Sequence, residues 1–186
     1  FGLKTKRSTG LKTIEHKHRV IKPQSKRRDQ PPVTADEINR LATLFPDYQR
    51  LALWLSLLVG GLRLGEVCVL QLRDIDLENL QLHVRHSVNR GLDDRGKYRL
   101  CEPKTKSSKR VVPIPKPLAP LIEAHISRFC KDRKPDTMLF HSTILDDWLL
   151  PPTTIGRTFR MAREKIGRSD ITFHSLRATH ATMLVL

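Results

Sequence analysis

The segment Tyr48–Val59, YQRLALWLSLLV, most narrows what this chain can fold into. Its apolar residues fall on nearly every side of the helix they predict, leaving no polar face to turn to water. Such a helix needs neighbours all round it, so the fold is expected to be a shell of elements packed on a central buried helix. The Gly60-Gly61 pair ends it, because glycine takes the chain out of a helix without steric penalty. The longest apolar run, Leu51–Val59, is interrupted by Ser56 and falls far short of the ~20 residues that cross a bilayer.

The shell reads off in order. After Pro31-Pro32, Thr34 and Glu37 fit a capping box, and Ile38, Leu41, Ala42 and Phe45 recur at helical spacing before Pro46. Beyond the glycine pair, Leu64–Leu70 predicts a short helix. The period then changes: Leu82, Val84 and Val88 alternate with His83, Arg85 and Ser87 as one half-buried strand. Tyr98 and Leu100 mark a second strand, and Val111–Ile114 a third after a polar lysine-rich hairpin, Lys104–Arg110. Leu118, Leu121, Ile122, His125 and Phe129 make one amphipathic helical face. Thr153 or Thr154 is expected to cap a further helix carrying Ile155, Phe159, Ala162 and Ile166. Thr172 is expected to cap the last, with Leu176, Met183 and Leu184 facing a core. The predicted fold class is therefore α+β and mainly helical: a bundle with a small three-stranded antiparallel sheet on one side.

Charge points to a partner. Lys and Arg number 34 against 19 acidic residues, a net +15, which favours a polyanion: nucleic acid first, an anionic membrane second. The cations are densest in Phe1–Gln30, among them Lys26, Arg27 and Arg28. This stretch reads as a basic arm or interdomain linker lying along DNA phosphates, or as a solubilising tail, ahead of a domain over 31–186. Three widely spaced cysteines, Cys68, Cys101 and Cys130, suggest neither a zinc knuckle nor a disulfide framework and fit a reducing cytoplasm. His16 with His18 and His83 with His86 lack a Cys or carboxylate cluster beside them, so no metal site is expected. No secretory signal or lipidation motif is visible. Phe1 is not an initiator residue and Met183–Leu186 stops in mid-helix, so the chain reads as part of something longer.

Three short stretches carry candidate chemistry. In GLRLGE, Arg63 sits where a buried helix turns into another, on a rigid support suited to presenting a guanidinium to a phosphate; pairing with Glu66 is the competing reading. In KTKSSKRVVPIP, lysines crowd a tip between strands, for solubility or to reach a DNA backbone. In HSLR, His174 and Arg177 share a face at a helix N-terminus, a place for an oxyanion or merely a solvated pair.

Taken together and in this order, these stretches resemble the catalytic domain of the tyrosine recombinases, the phage integrase family, over roughly Pro32 to Leu186. The resemblance implies that Arg63, Lys104, His174 and Arg177 act on one phosphodiester, with Lys106 the neighbour of Lys104 in register and Glu66 orienting Arg63. Lys109 and Arg110 join Lys26, Arg27 and Arg28 as expected DNA contacts. It implies double-stranded DNA at a specific recombination site as partner, a tetrameric synapse on that DNA, no cofactor, no membrane, and a cytoplasmic, nucleoid-associated setting. It also implies a 3′-phosphotyrosine intermediate. The two tyrosines, Tyr48 and Tyr98, both precede the HSLR motif, whereas the family places its nucleophile after it. The expectation is a recombinase domain inactive by itself for want of that tyrosine, or a non-catalytic DNA-binding remnant. A type IB topoisomerase relative would share the chemistry without site specificity.

Overall fold

The apolar segment becomes helix α2 (Asp47–Leu58), with Ala52, Leu53, Leu55 and the C-cap residue Val59 fully covered and Leu51 and Leu57 nearly so. The computed structural model describes residues 31–92, 98–101, 109–142 and 149–183; the stretch 1–30, expected to be a basic arm or linker, lies outside them. Position 49 rather than 48 turns inward in the first turn: Gln49 is buried, while Tyr48 is 38% exposed and its hydroxyl accepts a hydrogen bond from Gln49 Nε2. Tyr48 is therefore not the core residue its segment suggested.

Helix α1 (Ala35–Leu44) carries the expected capping box: Thr34 Oγ1 accepts from the Glu37 N–H, and Glu37 Oε2 accepts from the Thr34 N–H. Its apolar side, Ile38, Leu41 and Ala42, joins the core, and Phe45 meets Phe159 edge to face. Past α2, Gly60 and Gly61 take left-handed φ values of 54° and 57°. They pass the chain to α3 (Leu64–Val67), which is shorter than expected. Val69 and Leu70 are buried beyond its end, where the Leu70 carbonyl accepts from the Leu139 N–H instead of continuing a helix.

The small sheet is present, with different membership. β1 (Ile75–Asp76), β2 (Gln81–Val84) and β5 (Arg110–Pro113) form an antiparallel three-stranded sheet in the order β1-β2-β5, with Leu82 opposite Val112. The single strand expected over 82–88 breaks at Arg85-His86, and the chain enters a second, two-stranded sheet of β3 (Ser87–Leu92) and β4 (Tyr98–Cys101). Each half follows its own core: Leu82, Val84 and Val112 face the main cluster, whereas Val88, Tyr98 and Leu100 pack on Val69, Met138 and Leu149. β4 pairs with β3 and β5 with β2, so the strands on either side of the lysine-rich stretch belong to different sheets. Residues 102–108, Lys104 and Lys106 included, lie outside the described residues.

Helix α4 (Ala119–Phe129) buries Ile122, His125 and Ile126, while Leu121 is 50% exposed; the covered stripe is rotated from the expected one. Helix α5 (Pro152–Lys165) begins at a proline, with Thr153 and Thr154 inside its first turn and no side-chain cap; proline's fixed φ starts the helix. Ile155, Phe159 and Ala162 are buried as expected. Helix α6 (Phe173–Met183) packs against α2. Among the described residues no helix is long and apolar enough to cross a membrane.

Candidate active site

Helix α6 is held from several sides before it offers anything to a ligand. Leu176 is fully buried. His180 Nδ1 lies 2.7 Å from the Leu57 carbonyl; a carbonyl only accepts, so Nδ1 carries the proton and satisfies one of the orphan carbonyls of the last turn of α2. Thr179 Oγ1 accepts from the Val33 N–H at 3.1 Å and donates to the Ser175 carbonyl. Arg163 Nη1 donates to the carbonyl of Ile171, just ahead of the helix. Thr172 stands immediately before the helix, where its cap is expected, and Ser175 Oγ accepts from the Thr172 N–H at 2.9 Å, the return half of a capping box. The helix start is thereby fixed, and His174 and Arg177 leave it on one side.

Arg63 occupies the N-cap position of α3, with extended backbone. Glu66, 2% exposed, anchors it twice: Oε2 accepts the Arg63 N–H at 2.8 Å, and Oε1 accepts Arg63 Nη1 at 3.0 Å. Arg110 of β5 grips the same carboxylate with both arms, Nη1 to Oε1 at 3.2 Å and Nη2 to Oε2 at 3.0 Å. Burial pushes the Glu66 carboxyl up, but hydrogen bonds and charge from Arg110, with those of Arg63, hold it below the usual carboxylate range. The two readings of Arg63 are thus not exclusive: it pairs with Glu66 and still has 54% of its side chain exposed.

Arg63, His174 and Arg177 line one cleft of about 820 Å³, together with Gly65, Ser87, Val88, Tyr98, Thr153 and Thr172. Arg177 lines the cleft, and its Nη1 is buried without a hydrogen-bond partner among the described residues, so its charge is left uncompensated there. The N-terminal turns of α5 and α6, at Thr153 and at Thr172–His174, open onto the same cleft, adding their dipoles' positive ends. Cation, imidazole and helix termini of one sign around one cavity can bind a phosphate and stabilise charge growing on it.

Of the expected site residues, the structure brings Arg63, His174 and Arg177 to this cleft and places Glu66 behind Arg63. Lys104, Lys106, Lys26, Arg27 and Arg28 lie outside the described residues. Lys109 is exposed, and the guanidinium of Arg110 is engaged by Glu66. Sequence reasoning missed Tyr98 and Thr153, whose hydroxyls meet at 3.1 Å on the cleft wall. Only the β3–β4 pairing puts Tyr98 there, and no local signal announces it. Among the described residues no group of three or more His, Cys, Asp or Glu is placed to hold a metal ion.

A helix-rich core with a small antiparallel sheet, with two arginines and a histidine lining one cleft, has the architecture of the tyrosine recombinase catalytic core. The chain belongs to the phage integrase family, whose family model matches residues 32–185. A prophage phiRv2 integrase of Mycobacterium tuberculosis is 31% identical over 156 residues, 82% of this chain and 39% of that protein. A XerC-like tyrosine recombinase of Caldanaerobacter subterraneus is 28% identical over 163 residues, 80% of this chain and 42% of that protein. The Tn1549 transposon integrase, solved in complex with transposon right end DNA, superposes with a TM-score of 0.70 at 24% identity, over 87% of this chain and 55% of that one. This chain thus spans less than half the length of those two relatives.

Proposed function

We propose that residues 31–186, preceded by the basic arm or linker 1–30, are the catalytic domain of a site-specific DNA recombinase working through a 3′-phosphotyrosine intermediate. The observation that supports this best is the single cleft that Arg63, His174 and Arg177 line together. In this reading a tyrosine oxygen attacks the scissile phosphorus and the bond to the 5′ oxygen breaks. Arg63 and Arg177 stabilise charge on the non-bridging oxygens, each such contact contributing about 10²–10³ in rate. His174 assists proton transfer from the nucleophile. Lys104, or Lys106 one register on, donates a proton to the departing 5′ oxygen. The phosphotyrosine conserves the bond energy, so the reverse attack by a 5′ hydroxyl rejoins strands, and the scheme calls for no cofactor. Lys26, Arg27, Arg28 and Lys109 lie along the DNA backbone, and protomers assemble into a tetrameric synapse on DNA, in a cytoplasmic, nucleoid-associated setting. The attacking tyrosine lies outside these 186 residues.

A second reading, a non-catalytic DNA-binding remnant, is favoured by the position of both tyrosines ahead of the HSLR motif. Incubating the full gene product with a nicked suicide DNA site separates the two. A covalent adduct that forms about 10²–10³ times more slowly with Arg177→Ala supports the recombinase, and binding without any adduct leaves the remnant. Both demand that log K fall steeply with log salt, because bound phosphates release counterions. A flat plot sinks both.

A further inference from the structure

We propose that Arg110 is a positioning residue for Arg63, acting through the buried carboxylate of Glu66, and not a DNA contact in its own right. The inference rests on the recombinase reading, in which Arg63 meets the phosphate. Glu66 receives hydrogen bonds from the Arg63 N–H, Arg63 Nη1, Arg110 Nη1 and Arg110 Nη2, at 2.8, 3.0, 3.2 and 3.0 Å. Arg110 engages both oxygens as a fork. Arg63 gives its guanidinium to one oxygen of Glu66, while its side chain, 54% exposed, lines the cleft.

The geometry gives Arg110 a defined task. A carboxylate 2% exposed cannot be left with partial compensation, since water cannot make up the deficit. If Arg110 were absent, the guanidinium of Arg63 would be the cation still bonded to Glu66 among the described residues. It would be drawn into a two-pronged pair with Glu66 and away from the cleft. Arg110 comes from β5, 44 residues further along the chain, where its side chain is 24% exposed against 54% for Arg63. The more covered arginine thus neutralises Glu66 and the more exposed one is left to work. The lowered titration of Glu66, to which Arg110 contributes more than Arg63, agrees with this division. A lysine at 110 would keep the charge and lose the fork.

Two measurements on the 186-residue chain decide it. The first is a double-mutant cycle on binding to a duplex carrying the recombination site. Arg63→Ala should weaken binding about tenfold in the native background and less than about twofold beside Arg110→Met, because Arg63 is already withdrawn there. Beside Arg110→Lys the penalty should be intermediate, which also covers the case that Arg110→Met does not fold. Penalties that add in both backgrounds overturn the proposal and make Arg110 an independent contact. The second uses no DNA: the carboxyl ¹³C signal of Glu66 should titrate at higher pH in Arg110→Lys than in the native chain, and an unmoved titration also overturns it. If native binding proves insensitive to salt, the recombinase reading fails, while the titration still decides whether Arg110 governs Glu66.

Discussion

Gly61 leaves open the space that the aliphatic stem of Arg177 occupies. Its φ is 57°, and a Cβ there would meet Arg177 Cγ at 2.9 Å and His180 Cδ2 at 3.4 Å. Gly61→Ala therefore pairs a left-handed backbone penalty with a contact that only movement of α6 or Arg177 relieves. It should cost about 1–3 kcal/mol in urea unfolding. The folded protein should also bind DNA more weakly, in the manner of Arg177→Ala. Gly60→Ala is the control: φ is 54° and the clash, 2.7 Å, is with Val112 Cγ1 on β5, so stability should fall while Arg177 stays in place. Equal DNA affinity of the two folded variants would show that the close approach does not matter. At this scale the sequence was informative where the chemistry is local: Arg63 with Glu66 lies three residues apart, and so do His174 and Arg177. It was silent where partners are far apart in the chain, as for Arg110 with Glu66 and Tyr98 with Thr153.

Elements announced by their own ends were the ones legible beforehand. Helix α1 has a capping box and α2 a glycine pair, and both lie where expected. The strands were harder, because alternation survives a change of sheet: 82–88 reads as one strand, yet its halves face different clusters. β1, two residues long, is too short to show a period at all. Helix α4 was misjudged at Leu121 but read well at His125, which lies 5% exposed between Phe129 and Phe140 with Nε2 donating to the Leu139 carbonyl at 2.9 Å. Burial pushes its pKa below the usual histidine value, an effect the Leu139 hydrogen bond only partly offsets. The folded chain thus keeps His125 neutral where the unfolded chain already binds a proton. Stability should be unaffected by this group above the ordinary histidine value and decline as pH falls through it. The decline stops once the lower folded value is passed. One proton contributes at most about 1.4 kcal/mol per pH unit. Urea midpoints at pH 7 and pH 5 should therefore differ less in His125→Gln than in the native chain; identical differences would assign the decline to other histidines.

At the scale of the molecule, the helix that opens the domain and the helix that carries the histidine and second arginine are tied to each other, although about 140 residues separate them. Arg168, between α5 and α6, donates Nη1 to Glu37 Oε1 at 2.6 Å and Nη2 to the Pro31 carbonyl at 3.1 Å; its Nε and Nη2 also hold Asp170. Nearby, the Val33 N–H donates to Thr179 of α6. That the chain would form a shell of helices around α2 followed from an all-apolar helix having to be covered, and required no knowledge of particular contacts. Which end of the chain closes on which helix did not follow, because one arginine among many cations carries no mark of its partner. The consequence is mechanical: whatever pulls on the stretch before Pro31 pulls on the foot of α6. Arg168→Ala should lower stability by about 2 kcal/mol, the loss of charge-assisted bonds at a side chain only 15% exposed. Hydrogen exchange gives the sharper result. If Arg168 couples the two elements, amides in the first turn of α1 and in the N-terminal turn of α6 should lose protection together, with α4 unaffected. Faster exchange in α1 alone would mean that the seam is only a local fastening, and that α6 is held by its core leucine and by His180 on α2.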